Sequence, residues 1–465
     1  MERAGKPVVI LASHGFEDDI DASAQAFGMP GVQYVVVPSV YNHLTIDEAV
    51  AQTDPVVGKI LRLLTAAGSA SRAGDGEEAR SESAELEYNG IDDEEAYASF
   101  NRAFLDHDWG DGFPLWPPTR ERVLALIAGV DGRADDLVCV LPPGNGYATV
   151  HGVAVNAAMA GCIPREMPVV MAALRAISKM KPPWNLAALM STSATPPMFI
   201  VNGPIGRELG INGGRCCLGP GRQNRVNTRI ARAIILALKN LGRWYPGIMD
   251  MDTIGSARKF GMLIAENEEE SPWEPFHVTH DFRPEDSTVT LFFTTSEQDI
   301  AFQGHLDAPH LAREIASMMG GGGGLGFTNF IGSEERIHAS RQSAKARMTE
   351  GGKLLLIAPP HAGPLAEGGF TKEGLQRYLQ QHVRSRLSRM RESQRKLYLD
   401  GKAKEEYNWV FELSDDEARQ ITMPAVEDWR SVHVVVAGSV RAKDLDHGVM
   451  GTPVIEPITE RPTGT

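Results

Sequence analysis

Cysteine is scarce in this chain. There are four in 465 residues, and two of them are adjacent. So few thiols in so long a chain build no disulfide framework, which points to a reducing cytoplasm as the expected home. Neither a CxxC nor an HExxH spacing occurs, so no sequence motif announces a metal. Surplus basic charge is missing as well. The formal net charge is −14, which argues against nucleic acid as a partner. The one basic run, RSRLSRMRESQRK (384–396), reads as a solvated helix face or an anion-binding patch. No apolar run reaches the 18 residues that a membrane-crossing helix needs, and the opening VVILA is too short for a secretory signal and reads as a strand.

What is present is the composition of a globular protein, 42% apolar and 23% charged. The first 65 residues predict a βαβα unit: strand 7–12, helix 16–27, strand 33–38 and helix 46–64. Two parallel strands do not close a core alone, so this truncated unit is expected to dock on the rest of the chain or on a second polypeptide. Residues 66–96, rich in Ala, Gly, Ser and Glu, predict a flexible linker. Residues 97–465 predict a large mixed α/β body. Its helices are expected at 94–105, 120–128, 152–160, 167–179, 224–240, 308–319, 372–395 and 415–420. Its strands are expected at 136–141, 198–201, 259–264, 288–294, 353–357 and 433–437. LVCVLPP (137–143) and KLLLIAPPH (353–361) echo one another, which leaves open two related lobes or chance. The run Gly320–Gly324 reads as a hinge, or as bare backbone packed on a ligand.

Most of the chemistry concentrates between 199 and 277. The glycine-rich FIVNGPIGRELGINGGRCCLGPGRQNR leads into the helical IARAIILALKN, and AENEEESPWEPFH follows. Glycines let a ligand approach backbone amides, and amides at a helix start are free donors. Cys216 and Cys217 lie among arginines and amides that lower a thiol pKa, which makes a nucleophile or a metal ligand; the alternative is a pair of small core residues. Crowded carboxylates raise one another's pKa and yield a general acid or base. Glu268 and Glu269 are the candidates, against a solvated loop; Pro272 and Trp273 fold that loop back onto apolar surface. His277 and His280 are spaced so that they face apart on an extended segment, which argues against a shared metal; one of them is expected to contact the carboxylates, with His277 the catalytic candidate. Asn202, Asn212, Arg222 and Asn224 are expected to hold an anionic or carbonyl-bearing substrate, with Trp273 and His361 beside it. His361 and His151 each also read as a structural histidine. Cys162, at a tight turn, joins Cys216 and Cys217 as a candidate ligand for a transition metal. Cys139 reads as core. Trp109 and its neighbours line a pocket or anchor a crossing segment. At the ligand edge of the first strand, His14 and Glu17 face a partner or cap the next helix.

WGDGFPLWPPTRERV (109–123), NAAMAGCIPREMPVVMAAL (156–174), VNGPIGRELGIN (201–212), GPGRQNRVNTRIARA (219–233), ENEEESPWEP (266–275) and GGFTKEGLQRYL (368–379) resemble the large domain of bacterial UGSC-type (seleno)proteins. Residues 7–65 resemble the second half of the small UGSC domain. That domain is named for a selenocysteine- or cysteine-Gly-Ser-Cys motif, which this chain lacks. The resemblance implies thiol or selenol chemistry, and the redox element is then either lost or carried on a separate small subunit; the unclosed N-terminal unit favours the subunit, which would complete it in a hetero-oligomer. Three readings follow: a thiol-dependent redox or elimination enzyme acting on a carbon–heteroatom bond of a small molecule; a metal-dependent lyase or hydratase with Cys and His ligands; and a non-catalytic scaffolding subunit.

Overall fold

The computed structural model describes residues 7–17, 32–38, 46–65, 85–181, 184–301, 307–319, 351–386, 411–424 and 428–459, with a few isolated positions besides. Strand β1 (Val9–Ser13) and β2 (Gln33–Val37) pair in parallel, Val9 opposite Gln33 and Ser13 opposite Val37. Helix α1 (Ile46–Thr65) packs on both. The expected helix at 16–27 lies largely outside the described residues; its first turn is seen in the bond from Ile20 N to Phe16 O. The βαβα expectation therefore holds where it is described. Of the expected linker, 66–84 lies outside the described residues. The helix after it starts within the expected linker range, because Asp92 caps Glu95 N at 2.9 Å.

The body opens with α2 (Asp93–Asp106) and α3 (Arg120–Ile127), followed by a hairpin of β3 (Leu137–Leu141) and β4 (Gly146–Thr149). Helices α4 (Val150–Ala160) and α5 (Met167–Lys179) come next, bent 120° from each other. Thr149 caps the first of them, and Gly161, left-handed at φ 80°, ends it. Both are largely buried, as their predominantly apolar sequences lead one to expect. Among the described residues no single helix is long and apolar enough to cross a membrane. The chain continues through α6 (Trp184–Leu189), β5 (Pro197–Asn202), α7 (Pro204–Leu209), α8 (Arg225–Asn240), β6 (Met262–Ala265), β7 (Thr288–Thr294), β8 (Gln298–Ile300) and α9 (Ala308–Met319). It ends with β9 (Gly351–Ile357), α10 (Pro359–Glu367), α11 (Lys372–His382), β10 (Arg384–Arg386), α12 (Asp415–Gln420), β11 (Thr422–Pro424), β12 (Val432–Val436) and β13 (Asp444–Pro457).

One seven-stranded mixed sheet carries the body, in the order β12-β9-β13-β7-β5-β6, with β8 also on β13. β13 is the seam. Its first half pairs antiparallel with β9 and its second half with β7, with a register shift between Met450 and Val454. Period-2 alternation sorts the side chains. Phe199, Leu263 and Leu291 pack with α4, α5 and α8, while Leu355, Ile357 and Val434 pack with α9 and α11. The opposite face, with Met198, Ile264, Phe292, Leu354 and Val435, forms one cluster. Strands near both edges of the sheet share that cluster, so the sheet is curled. Just past β6, Asn267 N donates to Val436 O of the other edge strand (2.8 Å), and just past β12, Gly438 N donates to Gly213 O of the glycine-rich loop (2.8 Å).

Three local expectations are corrected. The helix expected over 372–395 ends at His382, because buried Val383 turns extended (ψ 95°) and β10 pairs with β11; the 384–396 basic run is thus not one helix face, and most of its remainder lies outside the described residues. The strand expected over 259–264 starts only at Met262, after a 3-10 turn over Ala257–Phe260. Gly261 separates the two at φ 119°, and a Cβ there would sit 2.7 Å from the Ala231 methyl. The two Pro-Pro segments are not equivalent: 137–141 is a hairpin strand, whereas 353–357 lies inside the large sheet. Gly320–Gly324 lies outside the described residues.

Candidate functional site

The carboxyl ends of β5 and β6 lie side by side, since the two strands are parallel (Val201 opposite Ala265). Beyond them opens a cleft of about 430 Å³. One wall is the glycine segment from Gly203 to Gly214 with Gln223, and the other is the acidic bend from Glu266 to Glu270. Ligands gather at such strand ends in open α/β sheets.

Asn202, the last residue of β5, organises the acidic wall. Its Nδ2 donates to Glu266 Oε2 (2.5 Å) and to Glu268 Oε1 (2.9 Å). Gly203 N donates to the same Glu268 oxygen at 2.8 Å. Gly203 adopts φ 85°, and a Cβ there would meet Asp286 O at 2.2 Å, so glycine is required. Glu266 is buried. It also accepts from Phe276 N (2.6 Å) and lies 3.4 Å from Lys372 Nζ at the start of α11. His277 is fully buried, with Nε2 3.1 Å from Arg283 O and Nδ1 3.9 Å from Glu268 Oε1. Neither Asn202 Oδ1 nor His277 Nδ1 has a hydrogen-bond partner.

The asparagines of the other wall are architectural. Asn224, buried, donates to Cys216 O (2.6 Å) and Gly219 O (2.5 Å) and accepts from Asn212 Nδ2 (2.6 Å). Asn227 accepts from Asn212 N and donates to Asn212 O and Leu263 O, each within 2.9 Å. These bonds hold Cys216 at φ 54°, a left-handed conformation uncommon outside glycine. They also leave Asn224 no open face for a substrate. The open donor floor expected of the loop is not what the fold builds. The amides of Gly203, Gly206, Gly210, Ile211, Asn212 and Gly214 all donate within the protein.

The other expected site residues scatter. Glu269 and Glu270 line the cleft, but neither cysteine of the pair does. Cys217 is buried in the cluster inside the curl; burial pushes its thiol up to about 11, although amides of Gly438, Cys217 and Leu218 oppose the shift. Cys216 is exposed. Cys162 packs on the other core and donates to Arg229 O (3.5 Å), its thiol raised by burial and by Glu166. Cys139 is core, its thiol pushed up to about 12 by burial. Cys162 and Cys217 thus belong to different cores. Among the described residues no group of three or more His, Cys, Asp or Glu is arranged to hold a metal ion.

Arg222 is exposed beside the cleft residue Gln223. Trp273 donates Nε1 to Phe370 O (2.8 Å) and packs on the α9–α11 core, which fits an anchor. His361 is buried, with Nδ1 2.7 Å from Asp444 Oδ2. His280 contacts Phe276 O (2.9 Å), and burial lowers its pKa. Trp109 packs on Phe104, and His151 is exposed at the start of α4. His14 Nδ1 lies 2.9 Å from Glu17 Oε1, and backbone amide bonds, together with this one, hold the Glu17 carboxyl below its ordinary value. Lys372 and Asn227 were missed by sequence reasoning. The one signal for Lys372 was its place in GGFTKEGLQRYL, 106 residues from its partner.

Fold and cleft define the class: an α/β protein with a small-molecule-sized hollow at the carboxyl ends of its strands. Residues 1–66 match the model of the UGSC family. No curated protein matches the chain.

Proposed function

We propose that the chain is an enzyme that eliminates a group across a carbon–heteroatom bond of a small polar molecule bound in this cleft. Glu268 takes the proton. As it leaves carbon, the C–H electron pair forms the new double bond, and the neighbouring heteroatom departs with the electrons of its own bond. The observation that carries this reading is the setting of Glu268. Its Oε1 is pinned by Asn202 Nδ2 and Gly203 N, and the residue stays on the cleft wall, 17% exposed. A base needs that combination of fixed geometry and access. Glu266, clamped by Lys372 and by Phe276 N, supplies the rigid support behind it. Burial of Cys217 and the absence of both sulfurs from the cleft wall count against those thiols as nucleophile. Where the chemistry is redox, the thiol comes from a partner of the UGSC-type unit.

The test is exchange of substrate carbon-bound hydrogen with deuterated water, across a panel of small β-substituted acids, alcohols and amines. Wild type is expected to exchange at least one member. Glu268→Gln should abolish exchange while Cys216→Ser and Cys217→Ser retain it. Loss of exchange in the serine variants with retention in Glu268→Gln would overturn the assignment.

A further inference from the structure

We infer that the molecule taken into this cleft carries a carboxylate gripped by Arg207, with Gln223 beside it, an inference that rests on the cleft being the place where Glu268 acts. Arg207 leaves α7 on the glycine wall and lines the hollow. Its backbone is fixed. Gly210, left-handed at φ 70°, ends the helix, with Gly210 N on Arg207 O (3.1 Å) and Ile211 N on Gly206 O (2.8 Å). Gly206 lets the helix lie close to β6, since a Cβ there would stand 3.4 Å from the Ala265 methyl. The guanidinium itself is unengaged. Among the described residues it makes no hydrogen bond and no ion pair, although Glu268, Glu269 and Glu270 line the same hollow. Its neighbour Glu208 is taken by Arg165 (3.3 Å). The Gln223 side chain, on the same wall, has no partner among the described residues either. A cation that shares a hollow with carboxylates and pairs with none of them leaves a gap for a ligand.

The rest of this wall favours an anion at that end. Arg215, Arg222 and Arg225 are exposed on the loop that follows, and none of their guanidiniums has a partner among the described residues. Glu208 is the one acid between 203 and 232, in a chain whose net charge is −14. Local charge of that sign draws anions to the wall. Helix α8, 16 residues long, starts just after Gln223 without a side-chain cap, because Asn224 gives its amide to Cys216 O and Gly219 O; its positive end lies on the same side. The wall's backbone amides donate internally, so side chains must hold the anion.

The chemistry of the base selects the anion. A guanidinium fork matches a carboxylate in two parallel bonds. Gly203, whose N–H pins Glu268, and Arg207 stand about one helical turn apart, roughly 6 Å along α7. A short acid held at Arg207 therefore brings its adjacent carbon within reach of Glu268. The carboxylate on that carbon takes up charge as the proton leaves, and a guanidinium on it favours the loss. A dianion would set a second negative charge against the glutamates with one arginine in the hollow to answer it.

The experiment titrates the full chain with propionate, propionamide and ethylphosphonate, reading affinity by calorimetry and location by hydrogen exchange of residues 203–214 and 265–270. None of the three carries a leaving group, so binding is read without turnover. Propionate is expected to bind and protect those segments, with the uncharged amide and the phosphonate each weaker by about tenfold or more. Arg207→Gln should weaken propionate by roughly tenfold and leave propionamide unchanged, a selectivity that a merely structural role would not produce. Should the amide or the phosphonate bind as tightly as propionate, or Arg207→Gln weaken acid and amide alike, the carboxylate inference fails while the cleft survives as a binding site. If none of the three protects these segments, the carboxylate inference fails, and if no member of the exchange panel is turned over either, the cleft reading fails with it.

Discussion

Lys372 Nζ and Glu266 Oε1 stand 3.4 Å apart, both side chains at least nine-tenths buried, and they come from positions 106 residues apart in the chain. The pair joins the end of β6 to the start of α11, and so ties the two flanks of the curled sheet together behind the cleft. The Glu266 carboxylate has two further donors, Asn202 Nδ2 and Phe276 N, so its lone pairs are well used. Removing one charge of such a pair strands the other in a low-dielectric interior.

Lys372→Met is therefore expected to cost about 3–5 kcal/mol of stability. Adding Glu266→Gln should recover part of that loss, because no charge is then left unpaired. Urea unfolding of the two single variants and the double variant checks it. A double variant no more stable than Lys372→Met would show that the lost packing, and not the stranded carboxylate, sets the cost.

Thiol reactivity should be strongly unequal. With its thiol pushed up to about 11, Cys217 is almost wholly protonated at neutral pH; roughly one molecule in a thousand carries the thiolate at pH 8. Cys139 and Cys162 are raised too, and of the four only Cys216 is exposed. Native protein treated with iodoacetamide at pH 8 is expected to gain a single label at Cys216, with the others labelling only in denaturant. Rapid native labelling at Cys217 in peptide mass spectra would contradict its burial.

Acid should weaken the fold well above the carboxylate range. Burial lowers His433 to about 3 and His447 to about 4, against an ordinary value of 6.5. Both are neutral when folded, and the unfolded chain binds their protons first. Their contribution is complete above pH 6.5 and is lost progressively as pH falls through the folded values. At pH 5 each costs about 2 kcal/mol relative to pH 7.5. Asp446 works the other way, because burial raises its carboxyl. The clean comparison is therefore wild type with His433→Gln, whose stability in urea should fall less between pH 7.5 and 5. Parallel profiles would show that His433 takes no part.

Much of the scaffold could be read locally. The runs at 167–179 and 308–319 space their apolar residues at the helical period, and 288–294 is a short Thr-, Val- and Phe-rich strand run; these helices and this strand end where expected. The longest strand, β13, was not anticipated. Its sequence DLDHGVMGTPVIEP holds acids, glycines and prolines that argue against a central strand. The fold offsets them with distant partners: His361 on Asp444, Lys353 on Asp446 (2.7 Å each), and Lys179 on Glu456 (2.5 Å). A register shift absorbs the Gly-Thr-Pro step. No window of sequence contains those partners.

By itself the sequence settled the alternation of strands and helices and brought the glycine-rich stretch and the glutamates close along the chain, because periodicity and composition act over a few residues. The folded arrangement settled which atoms remain available. Hydrogen bonds from Asn212, Asn224 and Asn227 use up the loop, the interior of the curl encloses Cys217, and Glu268 keeps a face on the hollow. Availability depends on what packs against each group from far along the chain, and spacing along the chain does not encode that.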